Sequence, residues 1–134
     1  MKLRIRGNSL RLRLLRGEVQ RFGETGFIAE TIQFGTSPAA QLIYILEADG
    51  GAQQISANFA DNKVTVKIPD QMARSWIESE VVSLMCEQPI ESGKQNAAPE
   101  NVLKILIEKD FVCLDRTNDP DNIDAFPHQT GKCG

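Results

Sequence analysis

At 134 residues the chain falls within the range of one ordinary domain, and no linker-like stretch divides it. Apolar residues make up 41% and charged residues 25%, a balance that supports a buried core and excludes disorder for most of the chain. The formal charge of −3 weighs against unspecific nucleic-acid binding, but it is unevenly spread: residues 1–25 carry seven Lys and Arg against Glu18 and Glu24, a balance of +5, leaving eight cations against sixteen acids, or −8, for the rest.

The first element is a hairpin. Leu3 and Ile5 alternate with Lys2, Arg4 and Arg6, and Leu10, Leu12 and Leu14 alternate with Arg11 and Arg13, the period of a half-buried strand. A tight turn at Gly7-Asn8 places Ile5 opposite Leu10 and Leu3 opposite Leu12, so Leu3, Ile5, Leu10 and Leu12 are expected to be buried. A slip of one residue would destroy that apolar face. The opposite face then carries Arg4 beside Arg11 and Lys2 beside Arg13, like charges that require a counter-ion from the protein or from a ligand. Residues 18–24 form a short helix with Val19 and Phe22 on one side and Gly26 as its stop. Residues 27–34 read as a strand, joined through Gly35-Thr36-Ser37-Pro38 to a strand at 42–46.

A second hairpin signal follows, because Ile55, Ala57 and Phe59 mirror Val64, Val66 and Ile68 around Asp61-Asn62. Gly50-Gly51 suggests a further turn that sets Leu46 opposite Ile55, extending the meander. Residues 70–79 form the clearer helix, capped by Asp70, with Met72, Ala73, Trp76 and Ile77 on one face. Residues 81–87 and 102–108 read as two more strands, separated by a loop containing Pro89, Gly93 and Pro99. No internal repeat and no low-complexity tract is visible. The pattern defines an α+β fold of about eight mostly antiparallel strands, in a twisted sheet or partly closed barrel, with two short helices. Residues 1–112 constitute the domain and residues 113–134 an irregular carboxyl-terminal tail.

No apolar run approaches the ~20 residues of a spanning helix, and the opening lacks a signal-peptide pattern, so no membrane partner is expected. Three cysteines without a secretion signal fit reduced thiols in the cytoplasm. Lys2, Arg4, Arg6, Arg11 and Arg13 are the candidate anion-binding residues, since guanidinium groups match phosphate and carboxylate oxygens. Asp115, Asp119, Asp121 and Asp124 are a candidate internal counterpart for the same cations. Cys113, His128 and Cys133 contain metal-ligating types, with Cys86 or a nearby Asp as a fourth donor, but no Cys-x2-Cys pair is present and a tail with free thiols is the expectation. No catalytic motif, nucleotide loop or cofactor signature appears, and few aromatic residues lie among the arginines to stack nucleic-acid bases.

The opening MKLRIRGNSLRLRLLRGEV and the later IEKDFVCLDR resemble an uncharacterised family of small bacterial proteins of unknown function, which implies a bacterial cytoplasmic origin and no known activity. A looser resemblance is to the triphosphate-tunnel fold, whose strands line a cavity with cations and carboxylates. That family opens on Glu-x-Glu-x-Lys, where this chain reads Lys2-Leu3-Arg4-Ile5-Arg6. The expected function is a non-enzymatic binding or accessory domain whose basic hairpin meets a phosphate-bearing ligand or an acidic protein surface. The alternative is a metal-dependent phosphohydrolase with Arg4, Arg6, Arg11 and Arg13 on phosphate and Glu47 and Glu108 on the metal.

Overall fold

The alternating amino terminus forms a hairpin in the expected register. The computed structural model describes residues 1–90, 101–110, Asp124 and Phe126. Within it, β1 (Lys2–Ile5) pairs antiparallel with β2 (Ser9–Leu14), Leu3 opposite Leu12 and Arg4 opposite Arg11. Gly7 adopts a left-handed φ of 55°, which its missing Cβ allows without strain. Leu12 is buried, but Ile5 is 62% exposed, so its expected burial is corrected. Ile5 sits next to the turn, where the hairpin extends past the core.

Helix α1 (Arg16–Thr25) starts where Glu18 accepts a hydrogen bond from the Leu15 amide at 2.9 Å. It stops at Gly26, whose left-handed φ of 71° lets its amide donate to Phe22 O at 2.7 Å. The chain continues through β3 (Phe27–Gln33) into β4 (Gln41–Asp49), an antiparallel pair with Phe27 opposite Glu47. Then come β5 (Ser56–Ala60) and β6 (Lys63–Pro69), paired as the mirror pattern around Asp61-Asn62 requires. Helix α2 (Asp70–Glu78) buries Ala73 and Trp76 and half-buries Ile77, while Met72 remains exposed. Pro69 rather than Asp70 occupies its cap, and Asp70 instead supplies a negative charge to the first turn. Strands β7 (Ser83–Pro89) and β8 (Val102–Lys109) close the order.

Among the described residues the eight strands divide between two sheets, ordered β1-β2-β8-β7 and β3-β4-β6-β5, and neither closes into a barrel. Both central pairings, β2 with β8 and β4 with β6, are parallel. The expected pairing of β4 with β5 across Gly50-Gly51 is therefore wrong. Strand β6 offers Val66 and Ile68 to the core, both fully buried, whereas β5 offers half-buried Ala57 and exposed Phe59. The more apolar strand takes the centre of the sheet, and β5 goes to its edge. Both sheets bury their inner residues in one core, with Leu12, Leu14, Ile105 and Ile107 from the first and Leu46, Val66 and Ile68 from the second.

The chain also contains a repeat that is not visible as sequence identity. Its halves are each ββαββ: β1-β2-α1-β3-β4 and β5-β6-α2-β7-β8. Each sheet combines a hairpin from one half with a hairpin from the other, so exchanging the halves maps one sheet onto the other. Equivalent residues lie 54 apart from β1 through α1, matching Leu12 with Val66, Leu14 with Ile68, Val19 with Ala73 and Phe22 with Trp76, all buried. The separation grows to 61 for β4 against β8, because the connections in the second half are longer. Turn contacts repeat as well. The Asn8 side chain donates to Val102 O at 2.8 Å, and Asn62 donates to Ala39 O at 3.1 Å. The Lys104 amide meets Asn8 O as the Ile43 amide meets Asn62 O. The two halves share apolar class and turn geometry rather than residue identity, and differ in loop length, which hides the repeat from inspection of the sequence.

Candidate functional site

All five candidate cations belong to the β1-β2 hairpin or its turn, and the structure divides them into two groups. The first group is neutralised internally. Glu108, on the outward side of β8, forms ion pairs with Arg13 Nε at 3.0 Å and with Arg11 Nε at 3.5 Å. Asp110, just beyond β8, pairs with Arg13 at 3.5 Å and with Lys2 Nζ at 3.4 Å. The register places these acids here, because the parallel pairing of β2 with β8 sets Arg13 directly beside Glu108. The expected counterparts were the acids of the tail. Of those, Asp124 pairs with Arg16 at 4.0 Å and accepts from the Gly17 amide at 3.0 Å, while Asp115, Asp119 and Asp121 lie outside the described residues. Glu108 and Asp110 were legible only once β8 had been placed beside β2.

The second group is open. Arg4 and Arg6 are exposed, and neither makes an ion pair among the described residues. Arg11 shares this end of the face, opposite Arg4, and reaches Glu108 through Nε. Lys104 stands beside Ser9 in the next strand and adds a further exposed cation. Across the same row, Leu106 lies beside Arg11 and Met85 beside Leu106, Met85 being 79% exposed. The face thus passes from cationic at β1 and β2 to mixed at β7, where Met85 stands between Ser83 and Glu87, the latter opposite Lys104.

The second half of the chain supplies an internal comparison for this face. The counterparts of Lys2, Arg4, Arg6, Arg11 and Arg13 are Ser56, Asn58, Ala60, Thr65 and Lys67. Glu108 and Asp110 correspond to Glu47 and Asp49, and Lys67 pairs with Asp49 at 3.9 Å as Arg13 pairs with Asp110. The ion pair at the end of the central strands therefore recurs in both halves. Arg4, Arg6 and Arg11 have no cationic counterpart.

A second polar cluster closes one corner between the sheets. The Met1 ammonium pairs with buried Glu18 and lies 3.1 Å from Glu30, while Tyr44 donates its hydroxyl to Met1 O at 2.9 Å. Burial raises the Tyr44 pKa above its ordinary 10.0, and the carboxylates of Glu30 and Glu18 add to the effect. At the opposite corner Gln88 bridges to Ala57, donating to its carbonyl at 2.9 Å and accepting from its amide at 2.7 Å. Cys86 Sγ donates to Ile55 O at 3.3 Å. These side chains satisfy the chain's amino terminus and a sheet edge, roles that no sequence pattern marks for Glu18, Tyr44 or Gln88.

The arrangement expected of a phosphohydrolase is not formed. Glu47 and Glu108 stand at equivalent positions of different sheets, each facing away from the core, and the space between the sheets is filled by aliphatic and aromatic side chains. Cys113, His128 and Cys133 lie outside the described residues. Among the described residues no group of three or more His, Cys, Asp or Glu is placed to hold a metal ion. No helix among them is long and apolar enough to cross a membrane.

A two-sheet α+β domain with one cationic face is the class that fold and site define. The chain belongs to the family of unknown function DUF7009, whose pattern spans residues 1–130. No curated protein and no solved structure matches it.

Proposed function

We propose that the chain is a non-enzymatic binding or accessory domain, working in the bacterial cytoplasm, whose basic hairpin receives an anionic partner at Arg4, Arg6 and Arg11. One observation carries this reading: the same hairpin is built a second time in the molecule with Asn58, Ala60 and Thr65 at the equivalent positions. A fold that forms this element with neutral residues does not need three arginines there for its stability. Lys2 and Arg13 have structural partners in Asp110 and Glu108 and are assigned to the scaffold, while Arg11 touches Glu108 through Nε and stands between the two groups.

The partner is a phosphate-bearing ligand or an acidic protein surface, because clustered guanidinium groups recognise paired oxygens through charge-assisted hydrogen bonds. The test is titration with tripolyphosphate and with an Asp/Glu-rich peptide, followed by calorimetry and thermal melting at low and at physiological salt. Binding should raise the melting temperature, and the gain should fade as salt screens the charges. The double change Arg4→Gln with Arg11→Gln should abolish the response while the free protein stays folded. Binding of equal strength in that variant, or no binding of either probe to the native chain, would remove the hairpin from the functional account.

A further inference from the structure

The repeat also points to a second site, independent of the basic face. A cleft of about 320 Å³ opens between α1 and α2, with Phe22, Gly26 and Ala48 on one side and Asp70, Arg74 and Glu78 along α2 on the other. Phe22 is 1% exposed, so the cleft reaches down to a core aromatic ring. Asp70 and Glu78 each stand four residues from Arg74, leaving one negative charge in excess. None of the three makes an ion pair or side-chain hydrogen bond among the described residues.

The equivalent place in the other half is filled. Ala48 corresponds to Lys109, as shown by matched backbone bonds: the Ala48 amide donates to Gly26 O and the Lys109 amide to Val82 O. Phe22 corresponds to Trp76. Lys109 is almost completely buried, and its ammonium lies 5.7 Å from the centre of the Trp76 ring and 5.5 Å from that of Phe126. It donates to Ser79 O at 2.7 Å. The lysine thus combines an alkyl stem packed in the core with a cation over an aromatic ring and against a backbone carbonyl. In the first half the ring, the helix end and the space are present, while the side chain stops at the Ala48 methyl. At the mouth, Glu78 keeps the acid that Glu24 supplies in the other helix, and Asp70 adds a second where the other helix has Arg16.

We infer that the cleft between α1 and α2 binds a primary alkylammonium group, seated over Phe22 with its charge toward Asp70 and Glu78, in the position that Lys109 fills in the second half. Such a group can come from a small free amine or from a lysine side chain of a partner. The probes are n-butylammonium, lysine with both backbone termini blocked, and n-butanol as the neutral control, added to the full chain and followed by amide chemical shifts. The two cations should shift Gly23, Gly26 and Ala48 saturably, at roughly millimolar concentration for so small a ligand, and butanol should not. Tighter binding of the blocked lysine assigns the cleft to a protein side chain, and tighter binding of butylammonium assigns it to a free amine.

Ala48→Lys should place the chain's own ammonium in the cleft, abolishing amine binding and raising the melting temperature. Glu78→Gln, at an exposed helix position that tolerates the change, should weaken binding roughly threefold without altering the melt. Equal shifts with butanol, or amine binding that persists unchanged in both variants, would overturn the inference.

Discussion

The two halves of this chain build the same ββαββ unit from different residues, and their differences separate what the fold requires from what it carries in addition. The core repeats position by position: Leu12 with Val66, Leu14 with Ile68, Phe22 with Trp76, Leu46 with Ile107. So do the turn asparagines and the ion pair between the end of the central hairpin strand and the acid at the end of its parallel neighbour, Arg13 with Asp110 and Lys67 with Asp49. Features present in only one half stand apart from this shared framework. They are the open cations Arg4 and Arg6, Arg11 beside them with its one contact to Glu108, the buried Lys109 and the cleft at Ala48.

The equivalence of the halves is tested most severely in the core. Phe22→Ala and Trp76→Ala should each destabilise the protein by about 3–5 kcal/mol, because each empties the same place under its own helix. Denaturant unfolding in which one cost is negligible would break the pairing. Leu12→Ala should cost about 2–5 kcal/mol, whereas Ile5→Ala, on the same hairpin face but 62% exposed, should cost less than about 0.5 kcal/mol. That contrast locates the edge of the core within a single hairpin.

A smaller effect is expected from Glu108→Gln, which removes the charge paired with both Arg11 and Arg13 and should cost about 1–2 kcal/mol. The equivalent change Glu47→Gln should cost less than about 0.5 kcal/mol, since Glu47 makes no ion pair among the described residues. Matched costs would show that the charge lattice is as structural in one half as in the other. Tyr44→Phe should cost about 1 kcal/mol through the lost hydrogen bond to Met1 O. The raised Tyr44 pKa means the folded state keeps this proton more tightly than the unfolded chain. Its contribution is complete below the ordinary value of 10.0 and is lost as pH rises through the higher folded value. Stability measured above pH 10 should therefore fall less steeply in Tyr44→Phe than in the native protein.

Much of the local structure was legible because alternation and turn residues act over short distances. The registers of both tight hairpins, the helix stop at Gly26 and the two-helix, eight-strand inventory follow from such signals. Sheet assembly was not legible. Whether β4 takes β5 or β6 as neighbour depends on which strand presents more apolar surface to a core assembled from both halves, and Gly50-Gly51 is compatible with either path. The basic face was legible as a row of arginines. Its division into paired and open cations was not, because Glu108 meets Arg13 only through the parallel contact of strands at opposite ends of the chain. No sequence pattern marks Lys109, and only its burial against Trp76 and Phe126 gives it significance.

The most direct test of the central claim is to give the first hairpin the residues of the second, in the triple change Arg4→Asn, Arg6→Ala and Arg11→Thr. Unfolding free energy and binding of tripolyphosphate and of the acidic peptide would be measured on the same preparation. The account predicts that stability stays within about 1 kcal/mol of the native value, as for surface substitutions with Arg13 still held by Glu108 and Asp110, and that anion binding disappears. Loss of the fold, or undiminished binding by a folded triple variant, would contradict it.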